Sequence, residues 1–325
     1  MLVKEAIMLK IFNQLVAEGK VEISRLTNTR VKVHTPCQWT CNFCHMEGNH
    51  SSVSIRDIKV LEDTILIFRE KFGFNDVHFT GGEPLIHPHI VEYISLAKQH
   101  GFTVKMTTNA QASVERFLDL VAVGLSELNV SIHTLSGKSL AEIMSPPRSV
   151  LWGERAIAKQ IDVIGALKDS LPVKVNTVAG SDVDSVLQVA ELVKKIGVSW
   201  RVMDELDHPE VSFATIMAVV EEMQAIPTMA HLIRGSSSCA ITMTCVDGFS
   251  FKVKMIRPFK LKGMCDDCQI DAIGKCKEYA YGPRLEGGLV DMKVRSCLYR
   301  NEEGYVQSVQ NYFDHPFASA LFSEA

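Results

Sequence analysis

Between residues 30 and 204 a short segment of alternating polar and apolar residues gives way, again and again, to a longer segment with helical spacing. Strand candidates fall at 30–34, 76–79, 103–107, 127–133, 173–178 and 198–203, with helix candidates at 55–71, 89–100, 114–123, 154–168 and 183–196 between them. Ser54 and Ser181 stand where N-caps belong, and Gly101 and Gly197 where a left-handed residue ends a helix. Strands joined by helical crossovers must run parallel, so the order predicts an α/β protein with a parallel sheet and outer helices, either open or as part of a barrel. The pattern stops near Asp204. Residues 1–28 read as an N-terminal helical segment with Ile7, Leu9, Ile11, Leu15 and Val16 as its apolar positions, and 207–230 as a linker helix. From about 231 to 325 most of the cysteines and several Gly and Pro turns replace helical periodicity, as in a small domain organised by metal.

Parallel strands covered on both sides are usually continuous apolar runs. These alternate. Arg30, Lys32 and His34 share a face, as do His78 and Thr80, Lys105 and Thr107, Asn129, Ser131 and His133, Lys174 and Asn176, and Ser199, Arg201 and Met203. With the apolar faces under the helices, the polar faces line a lumen carrying Arg30, Lys32, Lys105, Lys174 and Arg201. Such a lining fits an anionic ligand.

Loops after parallel strands are where α/β enzymes place their chemistry. The first carries Cys37-Gln-Trp-Thr-Cys41-Asn-Phe-Cys44, three thiols at Cx3CxxC spacing with no fourth nearby. A structural zinc site closes with four ligands, here His45 or a distant cysteine, whereas a cubane iron–sulfur cluster on three cysteines keeps one iron open. Unrelated buried thiols are the third reading. Thr80-Gly81-Gly82-Glu83-Pro84 follows the second strand, its glycines leaving room for close backbone approach. A net charge of −4 argues against a nucleic-acid partner, and no apolar run approaches the ~20 residues of a membrane helix. Nine cysteines without an export signal point to a reducing, cytoplasmic setting.

Together, the cysteine loop and the GGEP turn resemble the radical S-adenosylmethionine superfamily. The resemblance implies that Cys37, Cys41 and Cys44 hold a [4Fe–4S] cluster whose open iron chelates S-adenosylmethionine. Reductive cleavage then releases a 5′-deoxyadenosyl radical that abstracts a substrate hydrogen. Within the superfamily the chain resembles the molybdenum-cofactor GTP 3′,8-cyclase-like group, through Cys41-Asn-Phe-Cys44-His-Met-Glu-Gly48, Phe79-Thr-Gly-Gly-Glu-Pro-Leu85, Thr107-Thr-Asn109, Asn129-Val-Ser131, Lys174-Val-Asn176 and Val202-Met-Asp204. That implies a partial (β/α)6 TIM-type barrel over 29–206. It places Phe43, Gly81, Gly82, Glu83, Ser131, Asn176 and Met203 at the cofactor, and Arg30, Thr107, Lys174 and His78 at the substrate. His78 departs from the group's arginine at that place. The group's Arg-x-Arg after its second auxiliary cysteine is also missing, with only Arg284 as a stand-in.

Cys265-Asp-Asp-Cys268 alone would read as half of a zinc ribbon. In this family Cys265, Cys268 and Cys297 match the ligands of an auxiliary [4Fe–4S] cluster, and Cys276 adds a fourth thiol that would close it. Cys239 and Cys245 read as core thiols. The chain is therefore expected to be a radical S-adenosylmethionine oxidoreductase or lyase acting on a small anionic metabolite, such as a nucleotide, sugar phosphate or sugar acid. A reductant such as flavodoxin or ferredoxin would serve it. The alternatives are a peptide-modifying maturase, a GTP 3′,8-cyclase and a zinc-binding protein without catalysis.

Overall fold

The structure, a computed structural model, describes residues 3–48, 51–257, 259–276, 281–288, 290–302, 304–316 and 318. Helix α1 (Val3–Ala17) precedes β1 (Val21–Arg25) and β2 (Asn28–Lys32). Then α2 (Ile58–Phe72), β3 (Asp76–Thr80), α3 (Ile90–Gln99), β4 (Thr103–Thr108), α4 (Val114–Ala122) and β5 (Leu125–Ser131) alternate. Two helices, α5 (Gly137–Ile143) and α6 (Val150–Leu167), lead to β6 (Val173–Ala179), α7 (Val183–Ile196), β7 (Ser199–Asp204) and α8 (Pro209–Glu222).

Strands β2 to β7 pair in sequence order and all in parallel, which is the wall of the expected partial barrel. Their apolar faces are sealed under the helices: Val31, Val77, Phe79, Val104, Met106, Leu128, Val130, Val175 and Val202 are fully buried. The two-residue period then sends Arg30, His78, Lys105 and Glu127 to the opposite face as one register row. Helix ends follow local chemistry. Gly197 closes α7 at φ 81°, donating its N–H to Val193 O at 2.9 Å. Asp57 and Asp182, not Ser54 and Ser181, are the N-caps, accepting from Lys59 N at 2.8 Å and Ser185 N at 3.2 Å. A carboxylate at the N-terminus also meets the helix dipole.

The flanks depart from expectation. Helix α1 buries Leu15, but Ile7, Leu9 and Val16 stay exposed, so its apolar positions do not form one covered stripe. Strand β1 was read as part of a helical segment, and it pairs in parallel with β8 (Ile226–Arg234). Strand β8 crosses the expected boundary at residue 230, and helix covers only 209–222 of the linker. Strands β9 (Ser238–Thr244) and β10 (Ser250–Ile256) continue the sheet, and β10 lies parallel to β7. Alternation explains them: Cys239, Ile241 and Met243 are buried between partly buried neighbours, and Cys245 closes the run in the core as expected.

Helix α9 (Gln269–Ala272) precedes β11 (Arg284–Gly287), which adds in parallel to the other barrel flank at β2. Strands β12 (Met292–Arg295) and β13 (Val306–Ser308) and helix α10 (Val309–Asp314) complete a 13-stranded sheet.

Candidate active site

The cluster loop is held from three sides. Trp39 packs with Leu140, Met144, Ala156 and Ile157 of the α5–α6 region. Asn42 N donates to Ile143 O at 2.9 Å, and Ser145 N to Thr40 O at 2.8 Å. Gly82 presses against the loop from the sheet side. A Cβ there would lie 2.0 Å from Pro36 O and 2.2 Å from Thr35 O, so only glycine lets the two loops meet. Glu83, expected at the cofactor, ties its loop to β4. Its carboxylate accepts from Thr108 Oγ1 at 2.6 Å, Asn109 N at 2.7 Å and Leu85 N at 3.2 Å. Burial still pushes that carboxyl up to about 7.

These loops border a cavity of about 280 Å³ at the C-terminal end of the barrel strands. Its lining includes Arg30, Cys37, Cys41, Phe43, Cys44, Gly81, Gly82, Glu83, Thr107, Ser131, Asn176 and Met203, so most of the residues chosen from sequence share one chamber. His78 lies just beneath the lining, its Nε2 2.8 Å from Thr107 Oγ1. Burial, then Arg30 and Arg201, hold it far below the ordinary imidazole value, so it stays neutral. Lys174 is outside the lining. It is ion-paired with Glu127 at 2.8 Å, and Lys105 lies 3.3 Å from Asp76 and 3.7 Å from Glu127. The cations read from the sequence are therefore not alone in the lumen. Glu127 and Asp76 share the phase of the inward residues and neutralise its lower half.

Nor is Lys32 available to a ligand: it is buried and donates to Met46 O at 2.8 Å. Arg30 and Arg284 converge on buried Glu47, Arg30 through its terminal nitrogen and Arg284 through Nε at 3.0 Å. Burial opposes ionisation of Glu47, but the two guanidiniums outweigh it and hold the carboxyl well below the usual range. The sequence offered only one hint of this pairing, a carboxylate three residues past Cys44. His133 meets Phe43 edge-on at 4.9 Å. Its Nδ1 accepts from Val178 N at 3.1 Å, which fixes the proton on Nε2, and burial lowers its pKa to about 4. Lys254 and Tyr281 also line the cavity from segments that carried no site signal, and Arg201 joins them there from the lumen face.

The donor set fits a cluster better than a single ion. Among the described residues no three His, Cys, Asp or Glu side chains converge on one metal position. Cys37 and Cys44 open onto the cavity, yet burial pushes Cys37 up to about 11 and Cys41 up to about 12. Thiols so placed become thiolates on binding a strong Lewis acid. His45 is the residue that would complete a zinc site, and its Nδ1 already accepts from Glu47 N at 3.2 Å.

A second group of cysteines lies outside the cavity lining. Cys268 and Cys297 are buried, and Cys265 is pushed up to about 11 by burial, with Cys297 and Cys276 adding to the shift. Backbone N–H groups of Leu261 and Tyr299 donate to the sulfurs of Cys265 and Cys297 at 3.3 and 3.4 Å. Arg300 braces the loop through Met264 O at 2.9 Å.

The profile of the Radical SAM superfamily matches residues 31–196, which hold the cysteine loop, the Gly-Gly turn and most of the barrel. A probable GTP 3′,8-cyclase of Saccharolobus solfataricus is 31% identical over 289 residues, 85% of this chain and 84% of the relative. Counterparts from Saccharolobus islandicus are 32% identical over 190 residues, and the match spans 57% of this chain and 58% of their length. Among solved structures, native anSMEcpe with bound AdoMet and Cp18Cys peptide has a similar fold, with a TM-score of 0.55 and 14% identity over 91% of this chain and 79% of that one. No helix of the described residues is long and apolar enough to cross a membrane. The chain belongs to the radical S-adenosylmethionine superfamily, as an enzyme of its GTP 3′,8-cyclase-like group.

Proposed function

We propose that the chain cleaves S-adenosylmethionine reductively and abstracts hydrogen from a small anionic metabolite held in the cavity. The observation that carries this is the single chamber shared by Cys37, Cys41, Cys44, Gly82, Ser131 and the cations of the barrel mouth. Superfamily membership implies a [4Fe–4S] cluster and S-adenosylmethionine, which when bound supply a 5′-deoxyadenosyl radical.

The chain's own residues bind, orient and exclude. Cys37, Cys41 and Cys44 would ligate the cluster on a loop that Trp39 and Gly82 hold in place. Phe43, Gly81, Ser131, Asn176 and Met203 line the volume beside it and would contact S-adenosylmethionine. Thr107 is oriented by neutral His78 beneath it, so the substrate wall presents a hydroxyl there without adding charge. Glu83 positions the Gly-Gly turn. Cys265, Cys268, Cys297 and Cys276 would hold an auxiliary [4Fe–4S] cluster, a reading supported by the nearness of Cys297 and Cys276 to Cys265. A flavodoxin- or ferredoxin-type reductant would supply the electron.

The second reading is GTP cyclisation, favoured by the relatives' names. The binding of Arg30 and Arg284 to Glu47 speaks against it, since part of each guanidinium is already committed to that carboxylate. The test replaces Cys37, Cys41 and Cys44 with Ala in anaerobically reconstituted protein. Reductive cleavage should vanish while iron falls from about eight to about four per chain. Cleavage that survives the triple substitution rejects the proposal. Conversion of GTP by the wild type would make the second reading correct.

A further inference from the structure

Arg201 and Lys254 come from neighbouring parallel strands. Lys252 pairs with Arg201 and Lys254 with Met203, so Arg201 and Lys254 project from the same face one step apart. Both line the cavity. Arg201 donates through Nε to Asn176 Oδ1 at 3.0 Å, and its terminal nitrogens have no acceptor among the described residues. Lys254 Nζ stands 4.5 Å from the ring centroid of Tyr281, again with no ion pair among the described residues. Asp204 and Glu205 line the same cavity, yet neither pairs with either cation.

The remaining mouth cations differ, because Arg30 and Arg284 both close on Glu47. Arg201 is also desolvated. Burial lowers its pKa and Arg30 reinforces that, while Tyr281 and, less strongly, Glu127 pull against it. Arg201 is partly buried and has no carboxylate within ion-pair distance among the described residues, Glu127 acting on it only from further off, so an anion brought in from outside would stabilise it.

We propose that Arg201 and Lys254 form an anion subsite that binds a single phosphate or carboxylate group of the substrate, with the Tyr281 ring as its wall. The proposal rests on the reading of this cavity as the substrate chamber and narrows its substrate class. Arg201 offers two donors in a planar fork and Lys254 a point charge, which together match one such group.

The test is calorimetric titration of the reconstituted holoenzyme, saturated with S-adenosylmethionine, using inorganic phosphate, acetate and tripolyphosphate. Phosphate or acetate should bind at one equivalent per chain, and whichever binds tighter identifies the group. Arg201→Gln and Lys254→Gln should each weaken that binding at least tenfold, and Lys138→Gln, in an exposed helical ion pair, less than twofold. Tripolyphosphate should bind within tenfold of phosphate. The proposal is overturned if neither small anion saturates, if either cavity variant weakens binding less than tenfold, or if tripolyphosphate binds more than tenfold tighter. Should Arg201→Gln not fold, Lys254→Gln decides alone. Wild-type cleavage of S-adenosylmethionine is assayed in parallel. Cleavage without anion binding removes the subsite and leaves the proposed function standing; anion binding without cleavage does the reverse.

Discussion

Lys105 and Lys174, deep in the barrel lumen, and Arg201 and Lys254, at its mouth, project from one face of one sheet, yet their surroundings are opposite. The deep pair sits in a ladder with Glu127 and Asp76, and every charge there is answered within about one strand spacing. At the mouth Arg30 and Arg284 share Glu47, and Arg201 and Lys254 have no carboxylate within ion-pair distance among the described residues. The lesson is that counting inward cations overstates a lumen's appetite for anions. What decides it is which cations the adjacent strands leave without a carboxylate.

The most severe way to break this contrast is to remove Glu47. Glu47→Ala leaves the buried Arg284 and the partly buried Arg30 without their shared partner, and losses of about 3–5 kcal/mol are usual for an orphaned buried charge. Urea melts should show it, and a loss below about 1 kcal/mol would mean that Glu47 is not what holds the arginines. The ion triad also sets an acid limit. Because the folded pKa of Glu47 is depressed, its contribution is full above the unfolded carboxylate value of about 4.3 and is lost as pH falls through the folded value.

A milder test uses His133, a neutral wall of the mouth. Its folded pKa is lowered to about 4, so the unfolded chain takes up its proton first as pH falls below about 6.5. Stability should therefore be complete above that pH and decline toward pH 4, by about 1.4 kcal/mol per unit for this residue. His133→Asn should flatten the slope by that amount. An unaltered slope would place the titration elsewhere.

The smallest effect belongs to the deep pair. Glu127→Gln removes the carboxylate from Lys105 and Lys174, but these side chains are about a quarter exposed, and water screens what remains. A loss of about 1 kcal/mol is expected. A loss matching that of Glu47→Ala would erase the distinction between the two ends.

Much of the barrel was legible because two-residue alternation and helical spacing are local signals. Val31, Phe79, Val104, Leu128 and Val175 could be assigned to the helix-covered face from parity alone, and the thiols of Cys37, Cys41 and Cys44 from spacing. The same parity pointed to Glu127, in phase with Asn129 and Ser131, but polar lumen residues drew attention to cations and not to their partners. Strand β10 was hidden differently. Its alternation in Phe251-Lys-Val-Lys-Met255 is as clear as that of β2, but a region dense in cysteine invites a metal-organised reading that overrides it. Which charges pair across the sheet is a tertiary matter. No pattern in the chain announces that Glu47 serves Arg284, 237 positions away.

The two flanking strands carry a consequence for how the protein is made. Strand β10 docks on β7 and β11 on β2, so the last third of the chain supplies both side walls of a chamber whose floor is encoded in the first two thirds. Pairing Arg284 with Arg30 closes a loop of roughly 250 residues, a slow kind of contact to form. During synthesis the ribosome therefore releases the cysteine loop and the Gly-Gly turn well before their cover exists. Until β10 and β11 have been made, the nascent chamber has its floor but lacks both side walls.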